Sequence, residues 1–194
     1  MKKSIFLFFA AILCAMSVNA KMIYLKPNGD WSSSNAKFYV WSWGGSKDLG
    51  GQMTYMGIGL YGYEVGDNKT CHFTRNDPKS TGLWDKEWNR IADQTINTTN
   101  PCCKVTGWTS GTWIAMPSAY IAGATELTGH NWSTNASENK MTKQSDGTWT
   151  LIKTIESIAK GDYEYKVTDG SWGWSLGNGS NNASLNIPAA GKYE

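Results

Sequence analysis

Apolar and polar residues alternate along residues 146–174, and this stretch carries the clearest structural signal in the chain. Over residues 163–168, aromatic and aliphatic side chains alternate with charged or hydroxyl-bearing ones, which is the period of a half-buried strand. A similar alternation runs through residues 148–155, and Lys160-Gly161-Asp162 between the two runs supplies residues typical of a turn. The pattern therefore predicts a β-hairpin.

Two tryptophans, Trp172 and Trp174, follow the predicted hairpin with only glycine and serine beside them. In an extended segment their side chains point to the same side, about 7 Å apart at the rise of a strand. No aliphatic neighbour in the sequence covers them. We therefore expect exposed indoles that stack on flat, weakly polar ligands such as sugars.

Residues 36–43 form a second alternating run with aromatic residues on its outer side. Phe38 and Val40 share one face, which suits a core, while Tyr39, Trp41 and Trp43 share the other. An ordinary sandwich carries polar residues on that second face. Either a loop covers it or it is a binding surface, and the pattern leaves both open.

Further short strands are predicted between clusters of Gly, Asn, Asp and Ser, whereas no window sustains the apolar spacing of a long helix. One helical turn is predicted over residues 83–88, with Trp84 and Trp88 on the same side. A new strand pattern begins after Met116-Pro117-Ser118. The sequence thus predicts an all-β protein of two tandem immunoglobulin-like β-sandwich modules, 21–116 and 117–194.

Residues 1–20 have the pattern of a secretory signal peptide, with Lys2 and Lys3 before an apolar run and Val18-Asn19-Ala20 at the cleavage site. The apolar run is too short for a membrane span. Without Lys2 and Lys3 the 18 basic residues become 16, against 16 acidic ones, so the mature net charge is zero. We expect a secreted protein with no nucleic-acid partner and no transmembrane segment.

Three cysteines remain after signal cleavage: Cys71, Cys102 and Cys103. Adjacent cysteines bridge each other poorly, so at most one of the last two pairs with Cys71. Alternatively, all three are buried thiols that act as small apolar residues. No Cys/His spacing is typical of a metal site, and no cofactor is predicted.

No constellation of residues predicts catalysis. The acidic pairs Asp85 with Glu87 and Glu156 with Asp162 fall in a predicted loop or on an exposed strand face, not in a cleft as hydrolysis requires. The only histidines are His72 and His130, and neither has neighbours typical of a catalytic triad. His130 lies beside Trp132 and is a possible ligand contact. We expect no catalytic residues in this chain.

The runs IYLKPNGDWSSSNAKFYVW and FTRNDPKSTGLWDKEWNRIADQTI resemble carbohydrate-binding module family 26, a starch-binding β-sandwich of secreted amylases. The resemblance covers most of residues 21–113 and places Tyr39 and Trp41 in an aromatic strand. The chain departs from this family in a long insertion that contains Trp84 and Trp88.

The order AG…L.G.NW…NKM…DGTWT…GDYEYKV…W, over residues 121–193, resembles the immunoglobulin-like starch-binding modules of pullulanases and of outer-membrane starch-utilisation lipoproteins. This resemblance implies an α-glucan site near Trp172 and Trp174, with Trp132 adjacent. The chain ends where such modules start their final strand. We therefore expect a truncated second module and a downstream region that holds an enzyme domain.

These expectations together give non-catalytic binding of α-glucan through exposed aromatic residues. The ligand-binding candidates are Trp172, Trp174 and Trp132 in the second module, and Tyr39, Trp41 and Trp43 in the first. The alternative is a structural or adhesin-like surface protein whose aromatic residues make protein contacts.

Overall fold

The computed structural model describes residues 21–144, 148–179 and 181–194. The predicted signal peptide and Asp146-Gly147, at the start of the alternating stretch, lie outside these residues. Strands dominate the described chain, which confirms the all-β prediction. Contacts divide the chain into two compact units between Met116 and Pro117. In the described part, no helix has both the length and the apolar character needed to span a membrane.

The first unit is a sandwich of two sheets that enclose one core. Its strands are β1 (Met22–Lys26), β2 (Lys37–Trp43), β3 (Leu49–Gln52), β4 (Thr54–Tyr55), β5 (Tyr61–Glu64), β6 (Thr70–Asn76), β7 (Glu87–Thr95), β8 (Cys102–Val105) and β9 (Gly111–Ile114). A short helix, α1 (Gly29–Ser32), and a 3₁₀ turn (Ser33–Asn35) link β1 to β2. One sheet has the order β4-β5-β1-β8-β9 and the other β3-β2-β6-β7.

The strands of the first unit are antiparallel except for one pair. β1 runs parallel to β8, with Tyr24 opposite Cys102. β1 also pairs antiparallel with β5 on its other side, so it lies in the middle of its sheet. The first strand of this unit therefore pairs with a strand from near its C-terminal end, β8.

The core of the first unit lies between the inner faces of the two sheets. As the alternation in β2 predicts, Phe38 and Val40 point into this core and are buried. Phe73 of β6 and Ile91 of β7 lie beside them, while Trp113 packs on the edge of the cluster. Removal of this apolar area from water is the main stabilising contribution to the sandwich.

The three cysteines are buried free thiols, so none of the disulfides considered above is present. Cys71 and Cys103 belong to the apolar core of the first unit. Burial raises the pKa of both Cys102 and Cys103 to about 12, and it raises the pKa of Cys71 as well. All three side chains are therefore neutral at physiological pH and serve as small apolar residues.

A buried arginine, Arg75 at the end of β6, joins several segments of the first unit. Its Nε donates to the carbonyl oxygen of Trp31 at 2.8 Å, and its Nη2 donates to the carbonyl oxygen of Ser33 at 3.0 Å. The guanidinium carbon lies 4.5 Å from the ring centroid of Trp88 and 5.7 Å from that of Trp108. Arg75 thereby connects the α1 segment to β7 and to the β8–β9 loop.

The predicted helical turn at residues 83–88 is wrong. Residues 77–86 form an irregular loop, and β7 already begins at Glu87. The buried Asn76 fixes this loop, because its Nδ2 donates to the carbonyl oxygens of Leu83 at 2.9 Å and Asp85 at 2.8 Å. Bonds from one amide to several loop carbonyls compete with the helical ladder that the spacing alone suggests.

The described part of the second unit, within residues 117–194, contains eight strands, most of them two to five residues long. They are β10 (Tyr120–Gly123), β11 (Thr142–Lys143), β12 (Trp149–Thr150), β13 (Ile155–Ile158), β14 (Gly161–Thr168), β15 (Ser175–Leu176), β16 (Ala183–Ile187) and β17 (Gly191–Tyr193). A short helix, α2 (Thr125–Thr128), follows β10, and a 3₁₀ turn (Ser137–Asn139) precedes β11. β14 is central, with β10 on one side and β15 and β16 on the other, while β13-β17 and β11-β12 form separate pairs.

The predicted hairpin is wrong in its pairing, although both of its alternating runs contain strands. β13 pairs with β17, whereas β14 pairs with β10, β15 and β16. The two residues Ala159 and Lys160 therefore carry the chain from one sheet to another. An alternating pattern identifies a strand and its buried face, but it does not identify the partner strand.

Candidate functional site

Two indoles meet on the surface of the second unit. The ring centroids of Trp132 and Trp172 lie 6.3 Å apart, and their planes are inclined by 39°. Trp172 is 54% exposed and Trp132 is half-buried. The pair thus presents two apolar faces, set at an angle, to solvent.

Hydrogen bonds hold the loops that carry these two tryptophans together. Thr168 Oγ1 donates to the carbonyl oxygen of Thr134 at 2.9 Å, and Thr134 Oγ1 donates to the carbonyl oxygen of Gly170 at 3.3 Å. Trp132 itself has a φ of +53°, a conformation that bulky residues rarely adopt, and its amide donates to Gly123 at 3.0 Å. Strained backbone of this kind is concentrated at binding sites, where the surrounding structure holds it.

The partner of Trp172 is therefore Trp132, and no ring contact joins Trp172 to Trp174 among the described residues. Residues 171–174 form a turn, because Ser171 Oγ and the Ser171 amide both donate to the buried Asp169 carboxylate. The extended geometry expected for Trp172 and Trp174 is wrong for this reason. Trp174 is half-buried beside β15.

The first unit carries an open groove of about 370 Å³ on the outer face of its β3-β2-β6-β7 sheet. Its lining combines aromatic residues with charged residues at the rim: Trp41, Trp43, Asp48, His72, Trp84, Arg90 and Asp93. Sequence reasoning did not assign Trp84 to this surface, because the loop that brings it there has no regular pattern. We name this site the β2–β6 groove.

The aromatic rings of the groove contact one another, edge to face in the two pairs that include His72 and at a tilt of 56° between Trp41 and Trp84. The centroid of Trp84 lies 5.8 Å from that of Trp41 and 5.6 Å from that of His72, and Trp43 lies 5.6 Å from His72. Trp41 requires glycine opposite it in β3, since a Cβ added at Gly50 would lie 2.4 Å from its Cε3. The Trp41 ring thus packs directly on the β3 backbone.

Tyr39, the third aromatic residue of this strand face, does not line the groove. It is 3% exposed, and its hydroxyl lies 3.4 Å from the carbonyl oxygen of Ser80 in the 77–86 loop. The alternating pattern left open whether this face is covered by a loop or is a binding surface. At Tyr39 it is covered by a loop. Trp41 and Trp43 stay half-buried in the groove.

His72 is the buried polar residue of the groove, at 5% exposure. Its Nδ1 lies 3.3 Å from Oδ1 of Asp93, and its Nε2 has no hydrogen-bond partner among the described residues. Burial and then the positive charge of Arg90 lower the pKa of His72, and these effects outweigh the opposite influence of Asp93. His72 is therefore neutral at pH 7.

We expect an NMR titration to show His72 losing its proton below the ordinary value of 6.5. Because the unfolded chain takes up this proton at higher pH than the folded one, His72 makes the first unit less stable as pH falls below about 6.5. Arg90→Ala should raise the pKa of His72, and Asp93→Asn should lower it. His130→Gln assigns the two signals, and a shift of the His72 titration above 6.5 contradicts this account.

The carboxylates considered for catalysis all have surface partners. Glu87 receives two hydrogen bonds from Arg90, at 3.0 and 2.6 Å, and Asp85 accepts from the Thr81 amide at 2.9 Å. In the second unit, Glu156 pairs with a lysine and Asp162 accepts from an asparagine. Among the described residues, no cluster of three acidic, His or Cys side chains has the arrangement of a metal site.

Comparison with known proteins gives one family match, to the family described as the pullulanase X25 domain, over residues 122–193. No curated protein and no solved structure matches the chain. The match includes Trp132, Trp172 and Trp174 but no residue of the first unit, so the likeness of that unit to carbohydrate-binding module family 26 stays an expectation. The second unit, from β10 to β17, is similar to the X25 domain of pullulanases.

Proposed function

We propose that this protein binds α-glucan without transforming it, and that Trp132 and Trp172 form the binding surface of the second unit. The observation that carries the proposal is the inclined indole pair, which lies within the part of the chain that matches a pullulanase domain. The absence of a placed acid and base among the carboxylates considered above supports binding without hydrolysis.

The geometry of the pair suits a curved sugar chain. Each glucose unit has a face of C–H groups that packs on an indole, and successive units of an α-1,4-linked chain turn relative to one another. Two rings inclined by 39° with centroids 6.3 Å apart can therefore each meet one of two neighbouring units. Coplanar rings would favour a flatter chain.

Hydrogen bonds between the two loops support this proposal. Thr134 bonds both to the end of β14 and to the turn before Trp172, so the two indoles are held before any ligand arrives. A preformed surface avoids the entropy that ordering the loops on binding would cost.

We expect Trp172→Ala to weaken binding to amylopectin by a factor between about five and about one hundred. By analogy with stacking of aromatic side chains on bases, one stacked indole contributes about 1–3 kcal/mol, and about 1.4 kcal/mol is a factor of ten. The measurement is affinity electrophoresis of the chain from Lys21 to Glu194 in gels that contain amylopectin, with Trp132→Ala as the companion variant.

Trp108→Ala is the matched control, because Trp108 is 50% exposed but lies in the first unit, outside the family match. It should migrate like the parent protein. If Trp172→Ala and Trp132→Ala also migrate like a clearly retarded parent, the α-glucan surface lies elsewhere. A parent that amylopectin does not retard contradicts the proposed function and favours protein contacts as the role of the exposed aromatic residues.

A further inference from the structure

The 77–86 loop changes which residues the aromatic strand β2 presents to solvent. It covers Tyr39 through Ser80 and places Trp84, which is 58% exposed, beside Trp41 instead. The aromatic residues on this face are thus Trp41, Trp43 and Trp84, and not Tyr39, Trp41 and Trp43 as predicted. Trp84 forms one side of the groove, which we call its wall.

From this rearrangement we propose that the β2–β6 groove is a second binding site, separate from the Trp132–Trp172 pair, which takes a neutral polysaccharide chain and has Trp84 as its specificity-determining wall. The proposal extends the proposed function to the first unit. It also predicts that the chain keeps residual glycan binding when the second unit's site is removed.

Shape and lining argue for a ligand in this groove. Its volume of about 370 Å³ lies within the range of small-ligand sites, about 300–1,000 Å³, and the tryptophans supply apolar faces with polar groups at the rim. Asn76 donates to the carbonyl oxygens of Leu83 and Asp85, the residues on either side of Trp84. These hydrogen bonds fix the loop position from which the Trp84 side chain is exposed. Trp41 and Trp84 are inclined by 56°, which again sets two stacking faces at an angle.

A buried nitrogen without a partner is the second, independent observation. His72 is almost fully enclosed, lines the groove, and leaves Nε2 unpaired among the described residues. An unpaired buried polar atom is destabilising, and such exceptions in a fold call for an explanation. The rings of Trp43 and Trp84 pack on His72 with centroids at 5.6 Å, so a sugar hydroxyl can bond to this nitrogen once these rings shift.

The charges at the rim select the class of sugar. Asp48 and Asp93 line the groove with carboxylates, and the guanidinium of Arg90 is already bonded twice to Glu87. Arg90 also lies over the Trp84 ring, 5.2 Å from its centroid, which fixes it in place. An anionic sugar in the groove would be repelled by the carboxylates of Asp48 and Asp93. The cation in the groove lining, Arg90, is already paired with Glu87. The groove therefore favours neutral chains over uronic acids.

The test uses the chain from Lys21 to Glu194 that carries Trp172→Ala, with and without Trp84→Ala. Affinity electrophoresis is run with amylopectin and xyloglucan as neutral probes and with polygalacturonate as the anionic one. We expect a neutral probe to retard the Trp172→Ala chain, and the added Trp84→Ala to lower that retardation about tenfold. Trp108→Ala in place of Trp84→Ala should leave it unchanged.

The outcomes separate this proposal from the proposed function. If the parent binds amylopectin and Trp172→Ala abolishes all neutral binding, the groove is not a site while the proposed function stands. If amylopectin fails to retard the parent but xyloglucan retards it in a manner that depends on Trp84, the groove stands and the proposed function fails. Equal retardation with and without Trp84→Ala, or preference for polygalacturonate, overturns the groove proposal.

Discussion

Arg75→Ala is expected to lower the free energy of unfolding of the first unit by about 3 kcal/mol, since hydrogen bonds to a charged group contribute about 1.5–3 kcal/mol each. The substitution leaves the carbonyl oxygens of Trp31 and Ser33 without their donors. It also removes the group on which the rings of Trp88 and Trp108 pack. Urea denaturation of the full chain, followed by intrinsic fluorescence, measures the loss.

Arg90→Ala is the matched control, because the same residue type is removed from the surface of the same unit. Arg90 is exposed and pairs with Glu87, and exposed ion pairs contribute about 0–1 kcal/mol. We expect its midpoint in urea to stay close to that of the parent. Similar losses for the two arginine variants would contradict the structural role assigned to Arg75.

Asn76→Ala is expected to destabilise the first unit by about 2–3 kcal/mol, because buried carbonyls that lose their donor cost about 1–3 kcal/mol. The Nδ2 of Asn76 is the shared donor to Leu83 and Asp85, so its loss also releases the loop that carries Trp84. Asn76 acts on the groove only through this loop. In the Trp172→Ala background, groove binding should weaken while the unfolding midpoint falls.

Asn76→Asp separates hydrogen bonding from packing. The carboxylate has nearly the same shape as the amide but turns an acceptor toward the loop carbonyls. We expect it to be at least as destabilising as Asn76→Ala. If Asn76→Asp instead restores the parent's stability, the amide contributes by filling space, and the loop is held by its other contacts.

The strands of the first unit could be predicted from the sequence because each carries a short alternating or apolar run between turn residues. Phe38 and Val40 are an example, since their inward face follows from the period of two in β2. Pairing in the second unit could not be predicted in this way. β13 and β14 are neighbours in the sequence, yet distant strands compete successfully for their backbone groups.

The candidate sites were predictable only in part. The outward run of aromatic residues in β2 indicates Trp41 and Trp43, and the uncovered glycine and serine around Trp172 indicate its exposure. The partners of these residues come from irregular loops. Trp84 and Trp132 are placed by side-chain bonds to loop carbonyls and by a left-handed backbone conformation, neither of which has a periodic signature.

The parallel pairing of β1 with β8 has a consequence for how the first unit folds. Tyr24 of β1 lies opposite Cys102 of β8. β8 must therefore be synthesised before β1 can pair on both of its sides. Contacts this distant in sequence carry a large loop-closure entropy and slow the folding of β-rich domains. During synthesis β1 has one open edge, to which strands of other chains can add. A polypeptide that stops before Pro101 keeps this edge of β1 unpaired, and an unpaired edge favours aggregation.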